Sequence, residues 1–157
     1  MMLWLNLHAL PLLARICLVC MFPFSGIDKI LHWDGAMKQA GSSFLPCAPC
    51  LLIMGMAVEF ITPVCIVLGW HDHVAAFVLA GYCAITAILY HNFWIYPDFW
   101  AQGDSIARNH FWDFTKNFCV VGGLLLLIAT SSFYPLGFIV SHPLASAPLA
   151  ASGQQWE

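Results

Sequence analysis

The residues able to do chemistry in this chain are polar side chains set inside long apolar runs. Glu59 stands in the middle of "PCLLIMGMAVEFITPVCIVLG", and Arg15 and the pair Asp28-Lys29 share an earlier run. His91-Asn92 close a third run, and Asp113, Lys116 and Asn117 open a fourth. A charge at the centre of a bilayer costs about 2.5–3.5 kcal/mol on insertion scales, so it persists with a partner or a task. Lysines near a helix end can snorkel to the headgroups, and a histidine or asparagine can serve only as a hydrogen bond between helices. Glu59 has too short a stem to do the first. It requires a cation, and Arg15, Lys29 and Lys116 are the available ones. Such a pair is either structural glue or a group that exchanges protons with a ligand.

Cys47-Ala-Pro-Cys50 has the spacing of a thiol–disulfide pair. Pro49 suits the first turn of a helix, and a helix N-terminus lowers a thiol pKa. The chain has no βαβ pattern of the thioredoxin kind, and a cytoplasmic loop disfavours a standing disulfide. The two thiols are therefore read as inert. The other cysteines (17, 20, 65, 83 and 119) lie within apolar runs, where a thiol behaves as a small hydrophobe. "WHDHV" at 70–74 reads as a solvated turn and not a metal site. No residue is assigned as catalytic or metal-ligating.

Composition says what must hold these residues. Hydrophobic residues make up 61% of the 157 and charged residues 8%, against roughly a quarter in soluble chains. Five basic and eight acidic residues cannot solvate such a surface, so most of it faces lipid. The net charge of -3 offers no basic patch, which argues against nucleic acid as a partner. Continuous apolar runs predict helices at about 9–30, 49–69, 74–95 and 112–132, each near the ~20 residues that a bilayer core requires. The fold class is all-α: an integral membrane four-helix bundle, antiparallel and up-down. Residues 133–157 are expected to form an interfacial segment and a loose tail. The first run is read as a membrane helix and not a leader, since no Lys or Arg precedes Arg15. Trp4, Trp33, Trp70, Trp94, Trp100 and Trp112 fall near the span ends, as interfacial anchors do.

Lys38 and Arg108 lie in the 31–48 and 96–111 loops, with Lys29 and Lys116 beside them. The positive-inside bias puts these loops in the cytoplasm and both termini outside. Glu59 is midway along its run, roughly 15 Å from either end at 1.5 Å per residue. Alternation of direction then gathers Lys29, His91, Lys116 and Asn117 in one leaflet as a polar pocket with Glu59 as its floor. Arg15 is about 21 Å along the helix from Lys29 and is expected to reach in from the far side. Ala76, Ala80 and Ala84, with Gly122 and Gly123, predict close helix approach.

The order "ARICLVCMFPFSGIDKI", "LPCAPCLLIMGMAVEFITPVCIVLGW", "AILYHNFW" and "HFWDFTKNFCVVGGLLLL" resembles the DoxX-like membrane proteins, over about Leu12 to Ser131. Arg15, Lys29, Glu59, His91, Lys116 and Asn117 fall on positions typical of that pattern. Cys47 and Cys50 depart from it. The resemblance implies a bacterial inner-membrane protein near quinone or respiratory chemistry, because the family is named for the quinone-reactive membrane part of an archaeal thiosulfate:quinone oxidoreductase system.

The expected function is a membrane subunit of a quinone-linked redox complex, with quinone as the associated cofactor and other redox subunits as partners beside the lipid bilayer. Any enzyme activity would belong to that complex, with the redox cofactor on another chain. The alternative is a structural or assembly module whose polar cluster only specifies packing. Small-molecule transport ranks third, since the chain is short for a carrier and shows no inverted repeat.

Overall fold

The computed structural model describes residues 9–130, all of whose regular structure is helical. The helices are α1 (Leu10–Val19), α2 (Met21–Leu31), α3 (Trp33–Gly41), α4 (Ala48–Leu68), α5 (Asp72–Tyr90) and α6 (Ile106–Thr130), with a 3₁₀ turn at Phe93–Ile95. Four helical stretches are long and apolar enough to cross a membrane: Leu10–Leu31, Ala48–Leu68, Asp72–Ile95 and Ile106–Ala129. Those are the four expected spans, although the fourth helix begins earlier than 112. The expected tail at 133–157, and Trp4, lie outside the described residues.

The hydrogen-bond ladder of the first span is interrupted at Cys20, between α1 and α2, while the backbone there stays helical (φ -58°, ψ -30°). Pro23 supplies the reason: it has no N–H for the Val19 carbonyl, and its ring crowds that carbonyl. Pro63 sits inside α4 and does the same to the carbonyl of Glu59, four residues back. The 31–48 segment, expected as a loop, is largely α3. Asp34 in its first turn and Lys38 in its last complement the helix dipole.

Gly69 ends α4 at φ 70°, where a side chain would be strained. Its N–H donates to the Ile66 carbonyl (3.3 Å) and that of Trp70 to the Cys65 carbonyl (2.9 Å), the bond pattern of a Schellman cap. The chain can then enter α5 after only two more residues. At the other end of α5, the 96–105 loop is tied to α6. Asp98 Oδ2 and Oδ1 accept from the N–H groups of Ile106 (2.7 Å) and Ala107 (3.2 Å), and the Arg108 side chain donates to the Phe99 carbonyl at 3.1 Å.

The core lies between α5 and its neighbours. Ile66, Ala76, Leu79 and Leu124 are fully buried, with Val19, Phe22 and Cys83 packed against them. Ala76 and Ala80 are buried and Ala84 is half-buried, so the small-residue stripe does admit close packing. On α6 the work falls to Gly123: a Cβ there would come 2.7 Å from Leu18, whereas Gly122 meets nothing within 4 Å. Large apolar side chains such as Phe24, Leu31, Phe77 and Leu126 lie exposed, as a lipid-facing surface requires. Trp33, Trp70, Trp94, Trp100 and Trp112 are also exposed.

Candidate functional site

Glu59 is 3% exposed and carries the site. Its Oε1 accepts from Lys29 Nζ (2.6 Å), Tyr82 OH (2.9 Å) and Ser25 Oγ (3.1 Å). Lys29 Nζ also donates to Ser25 Oγ at 2.7 Å. Ser25 and Lys29 are four residues apart on α2 and so share a face. Tyr82 reaches in from α5 over Gly55, where a Cβ would stand 3.2 Å from the hydroxyl. The cluster therefore joins α2, α4 and α5. Every donor serves one oxygen. Glu59 Oε2 is buried without a hydrogen-bond partner among the described residues. A buried acceptor left unmet costs about 1–3 kcal/mol, more for a charged group.

A cavity of about 1020 Å³ opens beside this carboxylate. Phe22, Leu52, Met54, Val58, Ile85 and Leu89 give it apolar walls, and Gly35, Ala36 and Gln39 of α3 also line it. Lys29, Glu59, His91, Lys116 and Asn117 all line it as well, together with Tyr82, Thr86 and Asp113. Five of the six residues singled out by sequence thus share one cavity. Glu59 takes Lys29, one of the three expected cations, while Lys116 finds its partner elsewhere. Lys116 pairs with Asp113 on its own helix at 3.1 Å, and is 71% exposed. Asn117 donates to the Asp113 carbonyl at 2.9 Å. His91 Nδ1 is 4.0 Å from Asp113 Oδ2, beyond hydrogen-bond reach, and its ring lies 5.8 Å from that of His110. Asp28 pairs with His32 at 2.9 Å on the exposed surface.

Arg15 does not reach this cavity. Its guanidinium donates to Asp72 Oδ2 at 2.7 Å and to the Ile66 carbonyl at 3.0 Å. The reason is longitudinal: Arg15 lies too far along the first span from Lys29, and the Gly69 cap places a carboxylate at its own level. Asp72 is fully buried, and its Oδ1 also accepts from the His73 N–H and lies 3.1 Å from His73 Nδ1. The turn at 70–74, expected as solvated, is thus built around a buried ion pair.

Sequence reasoning missed Ser25, Tyr82 and Asp72. Ser25 is one helical turn before Lys29, and Asp72 is the acid at the same end as Arg15, so both had a signal in spacing. Tyr82 had none beyond its mid-span position. The two thiols read as inert are also joined, by a Cys47–Cys50 disulfide with a Cα–Cα distance of 5.4 Å.

The DoxX family model matches residues 10–92, which hold Arg15, Ser25, Lys29, Glu59, Asp72, Tyr82 and His91. Asp113, Lys116 and Asn117 lie beyond the match. The chain is similar to the inner membrane protein YphA of Escherichia coli (strain K12), at 30% identity over 123 residues, covering 77% of this chain and 82% of that protein. No solved structure matches. With more than half its length matched by the family model, and with four apolar helices long enough to span a bilayer, this chain belongs to the DoxX family.

Proposed function

We propose that this protein is a multi-pass inner-membrane subunit of a quinone-linked redox complex, with the 31–48 and 96–111 segments facing the cytoplasm. The observation that carries the reading is the buried, unpartnered Glu59 Oε2 beside a largely apolar cavity. A cavity of about 1020 Å³ is at the upper end of the usual ligand-site range. An apolar ring and tail suit its walls, and a hydroxyl or a protonated oxygen on the ring suits Oε2. Lys116 and Asn117 offer donors to a second ring oxygen at the rim. A bound quinone supplies two-electron chemistry coupled to protons, and the electrons come from a partner subunit. The chain's own part is to bind, to exclude water and to hold protons at Glu59 Oε2.

Purification in mild detergent with quinone extraction tests this. The reading expects quinone, and a redox subunit, to come with the wild type, and quinone to be lost from Glu59→Gln. Wild-type protein that carries neither sinks it. One observation favours the structural alternative: the Lys29–Ser25–Glu59–Tyr82 cluster ties three helices together, which packing alone would reward. In that case Glu59→Gln alters stability, and turnover of the complex persists without this chain.

A further inference from the structure

The cavity reading makes no use of the Cys47–Cys50 pair. Both residues are exposed and joined by a disulfide, while Cys65 and Cys83 are buried. Cys17, Cys20 and Cys119 are exposed on helices within the spans and free. Cys47 precedes the first residue of α4, a 21-residue helix that no side chain caps. It has φ 64°, a backbone region uncommon for any residue but glycine. Pro49 has no N–H to offer, so the open end presents the N–H groups of Ala48 and Cys50. Those donors and the helix dipole favour a thiolate at Cys47.

We propose that Cys47 and Cys50 form a redox-active pair that exchanges with thiols of a dithiol protein or of glutathione. An incoming thiolate attacks Cys47 Sγ and breaks the Cys47–Cys50 bond, and Cys50 leaves as a thiolate and takes up a proton. A second thiol of the reductant then attacks the mixed disulfide and releases Cys47 as a thiolate. The reductant's two thiols become a disulfide, and the pair gains two electrons and two protons. The exchange does not depend on what fills the cavity. Nor does it conflict with a cytoplasmic position for the segment, since disulfides there are characteristically transient and catalytic or redox-sensing.

The test uses the full-length protein in native membranes, equilibrated in glutathione buffers from reducing to oxidising, quenched in acid, and labelled with a maleimide polymer. The proposal expects both adducts to appear and vanish together within the glutathione range, and the Cys47→Ser, Cys50→Ser double variant to show no transition. In Cys50→Ser, mass spectrometry should find glutathione on Cys47. A pair that stays closed throughout is a structural cross-link, and thiols that never pair are inert. Either result overturns the proposal, and the wild-type titration decides it even where a variant fails to fold.

Discussion

The Arg15 guanidinium and the Asp72 carboxylate meet at 2.7 Å although 57 residues separate them. They lie away from the Lys29–Glu59 pair, whose contact is 2.6 Å. Among the described residues, two buried carboxylates are thus each paired with a Lys or Arg from another helix, one pair joining α1 to the start of α5 and one joining α2 to α4. Only the second borders the cavity.

Asp72 is fully buried and Arg15 is 15% exposed in its side chain, so breaking this pair leaves an uncompensated charge. Arg15→Met and Asp72→Asn should each cost about 3–5 kcal/mol. The double variant Arg15→Met, Asp72→Leu should recover most of it. Thermal melts in detergent measure this, and quinone content per folded protein should stay at the wild-type level. A loss of quinone at unchanged folding would place Arg15 in the ligand site after all.

Lys29→Met leaves the Glu59 carboxylate without its cation and should destabilise the bundle by about 3–5 kcal/mol. Glu59→Gln keeps the volume and removes the charge, so it should be milder. On the proposed quinone reading, affinity for quinone should nevertheless fall at least about tenfold, or ~1.4 kcal/mol. Equal affinity in wild type and Glu59→Gln would remove Oε2 from ligand binding.

Tyr82→Phe deletes one of the three donors to Oε1 and leaves the ring in place. A loss of about 1.5–3 kcal/mol is expected for a hydrogen bond to a charged group. Gly55→Ala pushes a methyl to within 3.2 Å of the same hydroxyl and should mimic part of that loss. In the Tyr82→Phe background Gly55→Ala should cost clearly less, and a double-mutant cycle reads the coupling.

Asp98 sits outside the spans and has its carboxyl held below the usual range. Burial acts to raise it, but the N–H groups of Ala107 and Ile106, with the Ser105 hydroxyl, outweigh that. A lowered folded-state pKa gives stability that is present above the unfolded value of about 3.9 and lost as pH falls through the folded one. Exchange protection in the 96–105 loop, taken relative to the intrinsic amide rate at each pH, should therefore be high at neutral pH and fall below about pH 4. In Asp98→Asn the protection should be lower at neutral pH and constant across that acid range. A wild-type loop indifferent to acid would mean that Asp98 does not tie it.

Much of the fold was legible because lipid imposes a single rule: a run of about 20 apolar residues is a helix. Glu59 was legible for the same reason, since a mid-span carboxylate must find a cation. Which cation was not. Arg15 is excluded by longitudinal level, which depends on where Gly69 ends α4, and Lys116 is held at the exposed rim by Asp113, one turn before it on α6. Asp72 was hidden because an acid at a span end is ordinarily solvated, and nothing local says that an arginine from another helix covers it. Helix α3 was hidden because nine mixed residues carry little periodic signal. The Cys47–Cys50 bond was hidden because a compartment says nothing of a contact that three residues of local backbone decide.

Pro63 leaves the Glu59 carbonyl without the N–H that would normally brace it. That turn of α4 therefore has one backbone hydrogen bond fewer, at the residue that carries the site's charge. The acid of this bundle thus stands on the least-braced turn of its own helix, and what holds it in position is the set of three donors that α2 and α5 bring to Oε1.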